Sequence, residues 1–179
     1  MIISIIGGPC TGKSHLLTSI MKSLGEPERI NFGTNFKCTK FNDILVLGQY
    51  KEGALSDADS WKYSSIAKGV FENFINFKVK EYRHIIFEGD RLTSKVKFLK
   101  ENFNTTVFML MIDPAQEQIR QDAKRKKQTA KWAKSRHTQM KKLQMHASLK
   151  EHIKIRENNN LEQARIIQTE IIDLLQKNT

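Results

Sequence analysis

Cysteine is nearly absent from this chain. Cys10 and Cys38 are the only two in 179 residues, and neither belongs to a Cys-x-x-Cys pair or a Cys/His pattern with metal-ligand spacing. A disulfide framework and a structural zinc site are therefore excluded as sources of stability, and a reducing compartment fits best. Long apolar runs are missing too. The first, Met1 to Ile6, is broken at once by glycines, far short of the roughly 20 residues that span a bilayer. It carries no basic leader of the kind that marks a secretory signal. The expectation is a soluble, cytoplasmic protein of one domain, residues 1–179, long enough to bury a core unaided. Acidic residues are the third scarcity: 19 Asp and Glu stand against 30 Lys and Arg, for a net charge of +11. Such a surplus attracts polyanions and makes nucleic acid a candidate partner, although lysine-rich surfaces also occur on proteins that bind none.

What is present begins with "SIIGGPCTGKSHLL", residues 4 to 17. Gly7, Gly12, Lys13 and Ser14 fit G-x-x-x-x-G-K-[ST], the phosphate-binding loop. Its glycines let the backbone turn tightly and point successive N–H groups at phosphate oxygens. The following helix adds its positive end, Lys13 reaches the β- and γ-phosphates, and the Ser14 hydroxyl ligates Mg²⁺. The expected ATP-binding residues are Gly7, Gly8, Pro9, Cys10, Thr11, Gly12, Lys13, Ser14 and His15. Coincidence is a weak rival: at a glycine usage of about 7%, the bare pattern arises in on the order of one chain in a hundred, and the strand before it and helix after it reduce that further.

Around the loop the chain alternates. Met1–Ile6 reads as a buried strand and Lys13–Leu24 as a helix. "FKCTKF" (36 to 41) and "ILVLGQY" (44 to 50) form a hairpin about Asn42-Asp43. A helix over Ser60–Lys80 places Ile66, Val70, Phe71, Phe74 and Ile75 on one face. "HIIFEG" (84 to 89) is a second buried strand, Thr93–Asn102 a short helix, and "TTVFMLMI" (105 to 112) a further strand. Asp113-Pro114 then opens a long polar helix. From Arg120 to Lys142 the chain holds ten Lys or Arg and one acidic residue, without apolar periodicity. "ENNN" breaks the chain before an amphipathic helix at about 160–176. The fold class expected is a three-layer α/β phosphate-loop kinase fold with a mostly parallel sheet, a basic lid at about 120–142 and an extra C-terminal helix.

The class of phosphate-loop protein turns on the remaining motifs. Asn-Lys-x-Asp and Asp-x-x-Gly, expected of a guanine-specific switch protein, are both missing. Small kinases instead pair the loop with an acidic residue after a second strand and an arginine-bearing lid. Glu88 and Asp90 follow the strand "HIIFEGDR" beside Arg91, where ligands bind in open α/β sheets, and they are the Mg²⁺ candidates alongside Ser14. A carboxylate is needed to orient or deprotonate an acceptor hydroxyl. Asp57, Asp59 and Asp90 compete for that role, with Asp59 the working choice; helix capping is the plainer reading of Asp57 and Asp59. Arg120, Arg125 and Arg136 are the lid candidates for the transferring phosphoryl group. A solvated helix face is the alternative, against which Trp132 counts, because an indole among lysines docks or stacks on a base. Lys126, Lys127, Lys131, Trp132 and Lys134 are the candidate nucleic-acid contacts.

Together "IIGGPCTGKS", "VLGQY", "SDADSW", "FEGDRL" and the basic stretch running into "KSRHTQMKKL" resemble bacteriophage kinases that phosphorylate 5-hydroxymethyluracil in DNA. The resemblance spans most of residues 1 to 143, and only the phosphate loop is specific by itself. The family's turn is closer to Gly-Thr-Asp, where this chain has Asp57-Ala58-Asp59. The resemblance implies ATP- and Mg²⁺-dependent transfer of the γ-phosphoryl to a hydroxymethylated pyrimidine in DNA, in the host cytoplasm. A kinase for a free nucleoside or nucleoside monophosphate shares loop and lid without needing the charge, and a nucleotide-gated nucleic-acid-binding ATPase shares both loop and charge.

Overall fold

The computed structural model describes residues 1–34, 36–50, 61, 67, 69–89, 91–123, 129–146, 149 and 151–177. Its centre is β1 (Ile2–Gly7), every residue of which is buried. A strand with no polar alternation can only be covered on both faces, and β1 lies between β5 (His84–Glu88) and β6 (Thr105–Met111), parallel to both. With β2 (Glu28–Phe32), β3 (Phe36–Phe41), β4 (Ile44–Leu47) and β7 (Ile153–Glu157) the seven-stranded sheet runs β2-β3-β4-β5-β1-β6-β7. The five strands from β4 to β7 are parallel, and β3 and β2 add an antiparallel margin. The β3–β4 hairpin turns through Asn42 at φ 50°, a left-handed conformation that asparagine tolerates.

Period-two alternation sorts the β1 side chains between two cores. Ile3 and Ile5 face α1 (Lys13–Lys22), whose Leu16, Leu17, Ile20 and Met21 form its buried stripe. The same cluster takes Ile167, Ile171 and Leu175 of α6 (Leu161–Gln176). Ile167 and Ile171 are fully buried, each worth about 1.5–3 kcal/mol of transfer free energy. On the opposite face, Ile2 joins a cluster with Phe71, Phe74 and Ile75 of α2 (Val70–Glu81) and Leu99 of α3 (Val96–Asn102). Ile6 meets Val96, Met109 and Met140 in a third cluster. Helices on both faces of a mostly parallel sheet make the expected three-layer α/β fold, and the C-terminal helix belongs to its core.

Several details depart from the sequence reading. β2 and β7, with mostly exposed or half-buried residues, carry no strand signal in the sequence. The helix expected from Ser60 is described from Val70 onward; residues 60, 62–66 and 68 lie outside the described residues. A short 3₁₀ turn, Arg91–Lys95, precedes α3. The polar helix after β6 is two helices: α4 (Pro114–Asp122), capped by Asp113 Oδ1 accepting from the Ala115 N–H at 2.8 Å, and α5 (Ala130–Met145), capped by the Thr129 side chain accepting from the Trp132 N–H. α5 is not wholly solvated, since Met140 is buried against the sheet. No helix among the described residues is long and apolar enough to cross a membrane.

Candidate functional site

The phosphate loop leaves β1 at Gly7 and enters α1 at Lys13, at the carboxyl edge of the parallel strands. Gly12 is left-handed, φ 84°, and a β-carbon there would lie 2.6 Å from Asn158 Nδ2, so both conformation and space require glycine. The loop is tied to itself: the Thr11 hydroxyl donates to the Gly8 carbonyl at 3.0 Å, and Lys13 Nζ donates to the Gly7 and Gly8 carbonyls at 3.1 and 2.9 Å. Its ammonium is thereby held at the mouth of the turn.

Glu88 ends β5, opposite Ile5 of β1, and is fully buried. Its Oε1 accepts from the Ser14 hydroxyl at 3.0 Å. A hydroxyl at the first turn of α1 and a carboxylate from the neighbouring strand form an all-oxygen set, the chemistry that suits a hard cation shared with phosphate oxygens and water. The residues present therefore fit Mg²⁺. No cluster of three or more His, Cys, Asp or Glu side chains forms a protein cage for a metal among the described residues.

Beside the loop opens a cavity of about 860 Å³, lined by Cys10 to His15, Arg120, Asn158 to Glu162 and Ala164. Its walls are built from three sequence regions. Arg120 of α4 donates to the carbonyls of Cys10, Asn158 and Asn159 at 3.1, 2.9 and 2.9 Å. The buried Asn158 carries the β7–α6 turn onto the loop, its Nδ2 donating to the Thr11 carbonyl at 2.7 Å and its backbone N–H to Met111 at 2.9 Å. The turn closes with Asn160 accepting from the Gln163 N–H, and Gln163 accepting from the Asn159 N–H. Behind it, Arg156 of β7 makes a two-pronged contact with Glu170 of α6, both bonds 2.8 Å, and Lys154 adds a third at 2.9 Å. The Arg156 hydrogen bonds hold the Glu170 carboxyl below its usual range.

Of the residues singled out in the sequence, the structure brings together Gly7 to His15, Glu88 and Arg120. Arg120 spends its hydrogen bonds on backbone carbonyls that shape the cavity. Lys131, Lys134 and Arg136 line a separate groove of about 560 Å³ on α5, with Lys142. Arg136 donates to Gln139 and lies 5.7 Å from the Trp132 ring centre, a cation–π contact on a half-buried indole. Asp57, Asp59, Asp90, Arg125, Lys126 and Lys127 lie outside the described residues. Sequence reasoning misses Asn158, which the sequence offers only as part of the "ENNN" break, and the pair Glu117–His137, whose Oε1 and Nε2 are 3.1 Å apart. His137 is the α5 side chain that packs on Gly8.

No protein-family model matches the chain, and no curated protein matches it. Among solved structures it is similar to a 1.7 Å crystal structure of shikimate kinase from Bacteroides thetaiotaomicron, at 13% identity over 98% of each chain and a TM-score of 0.44.

Proposed function

We propose that the chain is a Mg²⁺-dependent phosphotransferase that moves the γ-phosphoryl of ATP to a hydroxyl acceptor carried by DNA. The hydrogen bond between Ser14 and the buried Glu88 carries the first half of this reading, because it couples the phosphate loop to a carboxylate placed for metal and phosphate chemistry. The cavity bounded by Arg120 and Asn158–Glu162 offers room for the nucleoside, next to the loop that takes its phosphates. Mg²⁺, when bound, would draw charge from the phosphate oxygens. Lys13 balances charge on the transferring group and the loop N–H groups orient it. In the transfer, the acceptor oxygen bonds to the γ-phosphorus and the bond from that phosphorus to the β,γ-bridging oxygen breaks. The acceptor's proton leaves to a carboxylate, for which Asp57, Asp59 and Asp90 are the candidates, or to water.

DNA as the acceptor is supported by α5. Between Ala130 and Met145 it carries Lys131, Lys134, Arg136, Lys141 and Lys142 and no acidic residue, more cations than one triphosphate needs. The phage kinase resemblance points to 5-hydroxymethyluracil as the base. The test is incubation with γ-labelled ATP and Mg²⁺ against hydroxymethyluracil DNA, ordinary DNA and free hydroxymethyl nucleotides. Label in the first DNA alone is the expected result. Label in the free nucleotide would make this a small-molecule kinase, and acceptor-independent phosphate release would make it an ATPase.

A further inference from the structure

Resting on the nucleotide-binding reading, the geometry points to His137, held by Glu117, as the side chain through which α5 contacts the terminal phosphate of the bound triphosphate. Two contacts orient the imidazole. Its Nε2 lies 3.1 Å from Glu117 Oε1, and its opposite edge faces the phosphate loop: a β-carbon on Gly8 would lie 3.0 Å from Cε1 and 3.2 Å from Nδ1. The carbonyl of the same Gly8 receives Lys13 Nζ at 2.9 Å. The imidazole and the ammonium therefore flank one residue of the loop.

Glu117 comes from α4, and its side chain is only 13% exposed, whereas that of His137 is 44% exposed. The carboxylate is thus the fixed member of the pair and the imidazole the reachable one. Gln121 braces the carboxylate by donating to the same Oε1 at 2.8 Å. With Nε2 taken up by Glu117, Nδ1 is the ring nitrogen left on the loop side, where an anion bound at the loop would meet it. Among the described residues, the two arginines named from sequence in this part of the chain already have partners: Arg120 donates to the carbonyls of Cys10, Asn158 and Asn159, and Arg136 to Gln139.

The test compares dissociation constants of a non-hydrolysable ATP analogue and of ADP by calorimetry, for wild type, His137→Gln, His137→Arg, Glu117→Gln and the double variant His137→Gln/Glu117→Gln. His137→Gln is expected to weaken the triphosphate by about tenfold or more, the loss of a hydrogen bond to a charged group, and to leave ADP within about twofold. His137→Arg should restore most of the loss, Glu117→Gln should reproduce it, and the double variant should be no worse than the weaker single one. Equal weakening of both nucleotides would make His137 a merely structural contact, and no weakening of either would remove it from the site; either result overturns the inference. A wild-type chain that binds neither nucleotide would overturn the reading of the loop itself, and this inference with it.

Discussion

Gly8 and His137 meet closely: a β-carbon on Gly8 would lie 3.0 Å from Cε1, tighter than ordinary van der Waals contact, so the imidazole would have to give way by a few tenths of an ångström. The demand for glycine comes from α5, because Gly8 is not among the positive-φ residues and its backbone suits alanine. Gly8→Ala should therefore weaken ATP binding by pushing the His137 ring off the loop, by roughly 1–3 kcal/mol, the usual penalty of overpacking. The same substitution should cost little in a His137→Ala background. A calorimetric double-mutant cycle checks this, and additive losses would mean that another contact sets the requirement.

Ser14 and Glu88 make the second prediction. Glu88→Gln keeps the shape at the end of β5 but removes the charge, so it should lower turnover by about a hundredfold if the carboxylate organises the metal. The sharper readout is binding. Wild type should hold ATP more tightly with Mg²⁺ than with a chelator, and Glu88→Gln should lose most of that difference. A variant with an undiminished Mg²⁺ response would leave Glu88 a structural partner of Ser14.

Much of this site could be read from sequence because its parts are contiguous. The strand, glycines, Lys13 and Ser14 occupy one short stretch, and Glu88 ends an apolar run that announces its own strand. The remainder depends on long-range closure. β7 reads Ile-Lys-Ile-Arg-Glu, with a single buried residue, Ile153, and an outer margin that leaves polar residues half-solvated, so its composition resembles the basic segment before it. β2 is concealed in the same way, at the other margin of the sheet. Asn158 gains its meaning only when β7 brings it to Thr11, 147 residues earlier. Glu117 and His137 are 20 residues apart and belong to no local motif; they meet only because α4 and α5 lie against each other at the phosphate loop.

The Arg156–Glu170 contact should show itself in acid. Because the Glu170 pKa is lowered in the folded chain by its Arg156 hydrogen bonds, its stabilisation is present above the unfolded value of about 4.3. It is lost as pH falls through the lower folded value. Glu170→Gln should thus unfold more easily at pH 7, by about 1–2 kcal/mol for charge-assisted bonds at a partly exposed site. The gap to wild type should narrow as the solution is acidified below about pH 4.3. Denaturant melts across pH 3 to 7 measure the gap, and a constant difference would mean the carboxylate's charge contributes nothing.

The two cysteines should react in order, with nucleotide controlling the first. Cys10 is partly exposed in the phosphate loop and lines the cavity, while Cys38 is wholly buried in β3. Burial pushes the Cys38 thiol up to about 12, so near pH 8 only about one molecule in ten thousand would carry that thiolate. With a thiol-specific disulfide reagent, the native chain should titrate one cysteine promptly, and the second only after denaturant is added. Saturating ATP and Mg²⁺ should slow the first reaction, because the triphosphate would cover the loop that holds Cys10. The raised Cys38 pKa has a further consequence at high pH. The unfolded thiol ionises from about 8.5 while the folded one stays neutral, so stability should decline as pH rises from there toward 12. Cys38→Ser or Cys38→Ala should flatten that decline. Prompt reaction of both thiols in the native chain would show that β3 opens freely. A Cys10 reaction rate indifferent to nucleotide would place the triphosphate somewhere other than the Gly7–Ser14 loop.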